Sequence, residues 1–309
     1  MSVYIIVSIL IILFATIYFF LSPKNRLLAR IFLYPFLLEV LLTPIRGYVS
    51  FNASTLIGFF LFLFLTYYLI TKKEGRASST KIFIMLTIGF VMTHNMRFWE
   101  FKETLTSLPD ALFHLLGIVV GYLFFKIKNY FKWVVLATAS IACIFMYAKG
   151  YELWLNKLNF GTFTGQIIEK KLTTEIAFAD STNSIISINH LKGKIVLLDF
   201  WNSKCGFCYK KFPVVQNAYD KYKHNPKVNF YSVNFFLNDI DKEGDAFQII
   251  KERGHSFPVL ICKDIATLKA LNITCYPTVL VVNREGELVF RGDIEDADKK
   301  IEELLKENR

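Results

Sequence analysis

Apolar residues fill the first half of the chain in long runs that short polar loops separate. The six runs lie at about 3–21, 28–45, 55–71, 82–96, 111–125 and 133–148. The first and third are long enough to cross a bilayer core as helices, which takes ~20 residues. A helix of a soluble bundle keeps one polar face, whereas these runs are apolar on every side. The pattern predicts an N-terminal all-α multi-pass membrane domain of about six helices over residues 1–150.

The second half has the short alternating elements of an α/β protein. The run "KIVLLDFW" at 194–201 is rich in leucine and β-branched residues and predicts a buried strand. The elements predicted after it are a helix at 206–223, a strand at 228–236, a helix at 244–254, a strand at 257–262, a short helix, a hairpin of 277–283 and 286–292, and a closing helix. We expect a linker over 151–174 and a single domain over 175–309.

The two halves differ in net charge, and the charges of the first half predict its orientation in a membrane. Residues 1–159 carry 15 Lys and Arg against 6 Asp and Glu, whereas residues 160–309 carry 21 against 20. The basic excess lies in loops between apolar runs, so nucleic acid is not predicted as a partner. The first, third and fifth loops are basic and the others nearly neutral, which places the odd loops in the cytoplasm. We therefore expect a bacterial inner-membrane protein whose N-terminus and C-terminal domain are both periplasmic.

Three ionisable residues, Glu39, His94 and His114, lie within the apolar runs. In this topology they fall toward the outer leaflet, near Arg46 and Arg97. An ionisable group at membrane depth is costly and therefore marks a candidate site, here for a quinone, a haem or a proton relay. In the alternative interpretation, Glu39 pairs with an arginine at the interface and the two histidines face water.

Two cysteines, Cys205 and Cys208, follow the predicted buried strand in the stretch "DFWNSKCGFCYKKFP". The first would lie at a helix N-terminus, where unpaired N–H groups and the helix dipole lower the pKa of a thiol. Its thiolate can attack a disulfide, and the second cysteine, one turn on, can resolve the mixed disulfide. The alternatives are two inert thiols or a zinc site, but Cys262 and Cys275 do not form a second closely spaced pair. We predict a redox-active disulfide, with no metal and no further cofactor.

The order of these elements, with CxxC at the first strand-to-helix junction, resembles thioredoxin. The segments "LKGKIVLLDFW", "CGFC", "KKFP" and "CYPTVLVVNREGELVFR" resemble the TlpA/ResA-like membrane-tethered thiol-disulfide oxidoreductases, over about 175–309. The resemblance implies a thioredoxin-fold enzyme that acts on protein thiols and disulfides outside the cytoplasm, for example in cytochrome c biogenesis. It does not extend to residues 1–150.

The resemblance also implies roles for single residues. Pro277 aligns with the cis-proline that faces the disulfide, and Asp199 aligns with the buried acid that takes a proton from the second cysteine. This chain has Lys204 where many relatives have Trp and Lys211 where many have Glu, and Phe207 ends the dipeptide between the cysteines. A cation beside the first cysteine stabilises its thiolate, so we expect a reduction potential above the about −270 mV of thioredoxin.

The remaining cysteines leave several interpretations open. Cys275, two residues before Pro277, is expected near the site as a position of secondary oxidation, as a partner of Cys262, or as a small side chain in a tight loop. Cys143 is the single cysteine of the first half, so a dithiol relay across the membrane would need a membrane redox partner. The direction, reductase or oxidase, stays open. The alternative functions are a redox-regulated transporter or quinone-linked module with a thioredoxin-like sensor domain, and a non-catalytic binding module.

Overall fold

The computed structural model describes residues 23–73, 76–171 and 176–307. The chain forms two compact units, Met1–Glu152 and Leu153–Arg309. The first unit is helical, and the second contains a mixed sheet with helices on its faces.

The helices of the first unit follow the apolar runs. They are α1 Pro23–Tyr48, α2 Phe51–Lys73, α3 Ser79–Thr93, α4 Met96–Trp99, α5 Leu108–Lys126 and α6 Phe131–Phe145, and a π-helical turn then leads into α7 Tyr151–Phe160. Four described helical stretches are long and apolar enough to cross a membrane, by length and composition, and α3 is a shorter apolar helix. Five of the six predicted runs therefore coincide with apolar helices, while the run at 3–21 lies outside the described residues.

Glycines bring α2 and α5 into close contact. A Cβ atom on Gly117 would lie 2.4 Å from the carbonyl oxygen of Phe59, and one on Gly121 would lie 2.5 Å from that of Leu63. These two glycines stand four apart on one face of α5, the spacing that lets two apolar helices approach backbone to backbone. The pair is therefore held by close packing along a small-residue stripe.

The second unit is an eight-stranded sheet in the order β1-β8-β7-β4-β5-β6-β2-β3. The strands are β1 Gln166–Lys171, β2 Ala177–Ala179, β3 Ile185–Ser187, β4 Ile195–Trp201, β5 Val228–Phe235, β6 Val259–Cys262, β7 Thr278–Val282 and β8 Glu287–Gly292. The helices are α8 Gly206–Tyr222, α9 Asp245–Glu252, α10 Ile265–Ala270 and α11 Ile294–Lys306. Strands β4, β5 and β6 run parallel, and β7 runs antiparallel to β4.

The buried strand β4 divides two apolar cores by the alternation of its side chains. Leu197 and Trp201 belong to the core beneath α8, α9 and α11, whereas Leu198 and Phe200 belong to the core on the opposite face. Every residue of β4 is buried, as expected for a central strand that is covered on both faces. The sheet therefore holds the end of β4 rigidly, and the two cysteines follow directly after it.

The segment predicted as a linker, 151–174, is structured over its described part. It contains α7 and the strand β1, which pairs antiparallel with β8. The sequence "QIIEKK" of β1 shows no alternation of apolar and polar residues, so its strand conformation depends on pairing with β8. The predicted linker is thus an edge strand and a helix.

Candidate active site

The two cysteines lie at the first turn of α8. Cys205 is the N-cap residue of this helix, and its Sγ atom accepts a hydrogen bond of 3.1 Å from the backbone N–H of Cys208. The two residues are joined by a disulfide, with Cα atoms 5.3 Å apart. Because the sulfur of Cys205 lies where the free N–H groups of the helix converge, a negative charge on that sulfur is favoured.

The two sulfurs differ in exposure, which separates their roles. Cys205 is half-buried, whereas the side chain of Cys208 is 1% exposed and belongs to the core beneath α8. Phe207 stands exposed between them, and Lys204 is exposed beside them. A substrate disulfide can therefore reach Cys205, and Cys208 is placed to attack the bond that Cys205 forms.

Asp199 lies in the middle of β4 and is 2% exposed. Its side chain alternates with Phe200 and so points to the face of Leu197 and Trp201, where Cys208 also lies. The hydroxyl of Ser232 donates to its carboxylate at 3.4 Å. Burial raises the pKa of Asp199 from 3.8 to about 7, against the opposing effect of Ser232. An acid with this pKa can accept a proton near neutral pH and release it again.

The proline loop closes the same edge of the sheet. The Tyr276–Pro277 peptide bond is cis and directly precedes β7. Because Thr278 pairs with Phe200, this loop lies at the end of the sheet where Cys205 follows β4. The structure therefore brings the cis-proline to the edge that carries the dithiol.

The other two cysteines of this unit are free thiols. The Sγ atom of Cys262 is buried and donates to the carbonyl of Asp264 at 3.5 Å, and burial raises the pKa of this thiol to about 11. Cys275 lies 3.7 Å from the Oγ1 atom of Thr278, and burial also raises the pKa of its thiol. Neither thiol is activated by its surroundings, and the two do not pair in this structure.

Side chains around the dithiol hold the loop 202–205 in place. The hydroxyl of Tyr209 donates to the carbonyl of Ser203 at 2.5 Å, and the guanidinium of Arg253 lies 3.8 Å from the centre of the Tyr209 ring. The hydroxyl of Ser203 in turn donates to Asp241. No sequence motif marks these residues, because they lie far apart in the chain and meet through the fold.

Lys211, at the position where many relatives have Glu, forms an ion pair with Glu295 of α11. Its ammonium group is thereby engaged with the neighbouring helix. Lys204 forms no ion pair among the described residues and is the cation next to Cys205 in the chain. Within residues 23–73, 76–171 and 176–307, no three His, Cys, Asp or Glu side chains come together as metal ligands.

The three ionisable residues predicted at membrane depth meet in the interior of the helical unit. The Nδ1 atom of His114 lies 2.8 Å from Glu39, and its Nε2 atom lies 3.1 Å from the carbonyl oxygen of Ser54. The Nε2 atom of His94 lies 3.4 Å from Glu39. The alternative interpretation expected both histidines to face water, but His114 is buried and His94 is half-buried, while Glu39 pairs with Arg46.

Arg46 and Asp110 complete this polar cluster. Arg46 forms ion pairs with both Glu39 and Asp110, the latter at 2.7 Å. Asp110, which directly precedes the predicted run at 111–125, lies in the first turn of α5 and is 1% exposed. The two carboxylates thus share one arginine and one histidine inside the helical unit.

The C-terminal half is similar to known proteins. Residues 193–288 match a family model described as thioredoxin-like. The thiol-disulfide oxidoreductase ResA of Bacillus subtilis is 29% identical over 152 residues, which cover 48% of this chain and 79% of that protein. ResA of Bacillus cereus is 26% identical over 182 residues, which cover 59% of this chain and 96% of that protein. A solved thioredoxin domain of a thiol-disulfide oxidoreductase from Bacteroides vulgatus is 23% identical with a TM-score of 0.39, and the match covers 44% of this chain and 97% of that one.

Proposed function

Because its C-terminal half is a TlpA/ResA-like thioredoxin-family domain of a thiol-disulfide oxidoreductase, we propose that the whole chain is a membrane-anchored enzyme that exchanges disulfides with proteins outside the cytoplasm. The observation that carries the proposal is the half-buried Sγ of Cys205, which accepts an N–H at the start of α8 while Cys208 is buried behind it. The sulfur of Cys205 can thus contact a substrate, and the sulfur of Cys208 lies within bonding distance of it.

In the reducing direction the reaction has two steps. The thiolate of Cys205 attacks one sulfur of the substrate disulfide, so a mixed disulfide forms and one substrate sulfur leaves as a thiolate that takes up a proton. Cys208 then gives its proton to Asp199 and attacks Cys205, which forms the Cys205–Cys208 disulfide and releases the second substrate sulfur as a thiolate that takes up a proton. The substrate gains two electrons and the dithiol loses two. The oxidising direction is the reverse of these steps.

The N-terminal half supports the proposed location of the C-terminal domain outside the cytoplasm. The alternation of basic and neutral loops favours a C-terminal domain outside the cytoplasm, and the described helices include four that are long and apolar enough to cross a membrane. Cys143 is the single cysteine before residue 160, so we propose that a separate membrane protein renews the dithiol. Cytochrome c apoproteins and wrongly bridged envelope proteins are the substrates that this location and chemistry favour.

Trapping of mixed disulfides tests the proposal. The Cys208→Ser variant keeps the attacking sulfur but lacks the resolving one, so it is expected to accumulate covalent adducts with envelope proteins that vanish on reduction. Cys205→Ser is the matched control, because it removes the exposed sulfur and is expected to trap none. If both variants trap the same proteins or neither traps any, the proposed function is wrong.

A second candidate is a quinone-linked module or transporter whose thioredoxin domain reports redox state. The observation that favours it is the polar cluster of Glu39, Arg46, Asp110, His94 and His114 inside the helical unit. Under this candidate, His114→Gln shifts the ratio of dithiol to disulfide at Cys205 and Cys208 in growing cells, while insulin reduction by the purified chain persists. Under the first candidate the ratio follows the separate redox partner and stays as in the wild type.

A further inference from the structure

A pocket of about 250 Å³ opens at the edge of the sheet that carries the dithiol. Its lining includes Asn234, Phe236, Asp241, Phe247 and Ile261. Because β4, β5 and β6 are parallel, their carboxyl ends lie along one edge, and Asn234 of β5 pairs with Trp201 at the end of β4. The carboxyl edge of a parallel sheet is the usual position of a ligand site in α/β folds.

A hydrogen bond connects the lining of the pocket to the loop before the dithiol. Asp241 accepts a hydrogen bond from the hydroxyl of Ser203, which stands two residues before Cys205. The same carboxylate accepts from the backbone N–H of Leu237 at 2.8 Å, so it fixes the pocket wall and the dithiol loop together. A polypeptide whose disulfide lies on Cys205 can therefore place its neighbouring residues in this pocket.

Hydrogen-bond donors at the pocket lack partners among the described residues. The side chain of Asn234 is 1% exposed, and its Nδ2 atom has no partner among the described residues. The helix α9 begins at the pocket with Gly244 as its N-cap residue, and no side chain caps its first turn. The first N–H groups of a helix have no partner within the helix. A buried donor without a partner is costly, and an acceptor that enters the pocket removes the cost.

The carboxylates that line the pocket already have partners. Glu243 pairs with Lys263 at 3.0 Å, and Asp180 accepts the N–H groups of Thr182 at 2.8 Å and Ser184 at 2.9 Å. The lining contains three carboxylates, those of Asp180, Asp241 and Glu243, and two lysines. Its net charge is therefore −1. A negative lining repels an anion, so a neutral acceptor fits better than a carboxylate.

We propose that this pocket binds an amide carbonyl of the disulfide-bearing polypeptide, with an adjacent apolar side chain against Phe236 and Phe247. Asn234 donates to the carbonyl, and the first turn of α9, which no side chain caps, stabilises it further. The pocket thereby selects extended, uncharged or basic peptide segments beside the reacting disulfide. This inference rests on the proposed function, because it needs a protein substrate.

The test compares two substrates of the full-length chain in detergent, with dithiothreitol as the reductant that renews the dithiol and with the uncatalysed rate subtracted. Insulin presents a peptide to the pocket, whereas hydroxyethyl disulfide has none, and the measured quantity is the ratio of kcat/KM for insulin to kcat/KM for hydroxyethyl disulfide. Asn234→Asp exchanges the donor for an acceptor of the same shape and is expected to lower this ratio about tenfold. A partly unfolded variant lowers both values together and leaves the ratio in place, so lost folding cannot imitate the effect.

Two further variants complete the design. Asn238→Asp makes the same change at an exposed position outside the pocket and is expected to leave the ratio as in the wild type. Phe236→Ala removes the apolar wall without opening either core, since Phe236 belongs to neither, and is expected to lower the ratio. A ratio within twofold of the wild type for both Asn234→Asp and Phe236→Ala overturns the proposal.

Salt and the wild-type rates distinguish the remaining outcomes. The difference between wild type and Asn234→Asp is expected to persist in high salt, because the bound carbonyl is neutral; a difference that disappears there contradicts a neutral ligand. A wild-type chain that reduces hydroxyethyl disulfide but not insulin refutes the protein-disulfide function itself, and the pocket proposal fails with it.

Discussion

Cys205 and Asp199 lie close to the same strand end in opposite surroundings. The sulfur of Cys205 is half-buried and meets the N–H groups of α8, which favour its charged form. The carboxyl of Asp199 is buried with one hydroxyl at 3.4 Å, which favours its neutral form. A nucleophile whose charged form is stabilised and an acid that changes charge near pH 7 together suit a reaction that moves one proton for each resolved disulfide.

Replacing Asp199 by Asn is expected to remove a pH dependence of stability. The pKa of Asp199 in the fold, about 7, lies above its ordinary 3.8, so its stabilising contribution is complete below about pH 4 and is lost as pH rises through 7. Relative to Asp199→Asn, the wild type should lose about 4 kcal/mol of its free energy of unfolding between pH 4 and 8. Urea unfolding of the oxidised unit 153–309 at several pH values measures this difference.

Asp239→Asn, in an exposed loop, is the matched control and is expected to keep the pH dependence of the wild type. Parallel pH profiles for wild type and Asp199→Asn would show that the carboxyl is not held neutral by burial. In the enzyme assay, Asp199→Asn is expected to slow the release of the mixed disulfide at neutral pH, while the first attack by Cys205 proceeds.

At the scale of elements, the two units are built by different physical means. The helix α8 is held by apolar burial, with Phe212 and Val215 in the core and Trp201 edge-on to Phe212 at 5.1 Å between ring centres. The long helices of the first unit are apolar on every side, as expected for helices in a bilayer, where burial from water does not determine which helices pack together and close approach at glycines does so instead. Gly117 and Gly121 are the positions where that approach is closest between α2 and α5.

A single methyl group on Gly117 is expected to separate α2 from α5. Its Cβ atom would lie 2.4 Å from the carbonyl oxygen of Phe59, a backbone atom that moves only with its helix. Gly117→Ala should therefore lower the thermal transition of the detergent-solubilised chain by several degrees, measured as the loss of monodisperse protein on size exclusion after heating. Gly47→Ala is the control, because a Cβ atom there meets nothing within 4 Å. Equal transitions for the two variants would contradict glycine-mediated packing.

At the scale of the whole molecule, the account depends on which side of the membrane each loop faces. The chemistry of Cys205 needs a compartment in which protein disulfides exist, which in bacteria is outside the cytoplasm. The charge pattern predicts that location independently of the cysteines, since it uses only Lys and Arg in the first half. Sequence charge and thiol chemistry therefore support the same topology.

Cysteine labelling of intact cells tests this topology with a matched pair of positions. In a chain whose native cysteines are replaced by Ser, Lys102→Cys lies in the fourth loop and is expected to react with a membrane-impermeant maleimide. Lys128→Cys lies in the fifth loop and is expected to react only after permeabilisation. Both lysines are exposed in the structure, so burial does not limit either reaction. The reverse pattern would place the C-terminal domain in the cytoplasm.

The thioredoxin-like resemblance and the oxidoreductase chemistry could be predicted from sequence, and both are confirmed. The elements from β4 to α11 could also be predicted to within a few residues, because long apolar runs and clear turn residues mark them. Strands β2 and β3 were missed because three residues carry no periodic pattern, and β1 because its conformation comes from pairing with β8. Short edge strands take their structure from their neighbours rather than from their own residues.

The surroundings of the candidate site were partly beyond sequence analysis. The cysteines and Asp199 stand in one contiguous motif, so their proximity follows from local chain geometry. The contact between Ser203 and Asp241 and the buried donor of Asn234 depend on which strands become neighbours. In the first unit, the predicted apolar run starts at residue 111, yet α5 begins at Leu108 and includes Asp110, whose ion pair with Arg46 depends on how the helices pack.

The pH dependence of alkylation at Cys205 tests the central claim most directly. In the reduced Cys208→Ser variant, with Cys143, Cys262 and Cys275 also replaced by Ser, Cys205 is the single thiol of the chain. The account predicts that its rate of reaction with iodoacetamide rises with an apparent pKa below 7.5, about one unit or more beneath the ~8.5 of a free cysteine. A rate that rises with an apparent pKa of 8.5 or above would contradict activation of this sulfur by the start of α8.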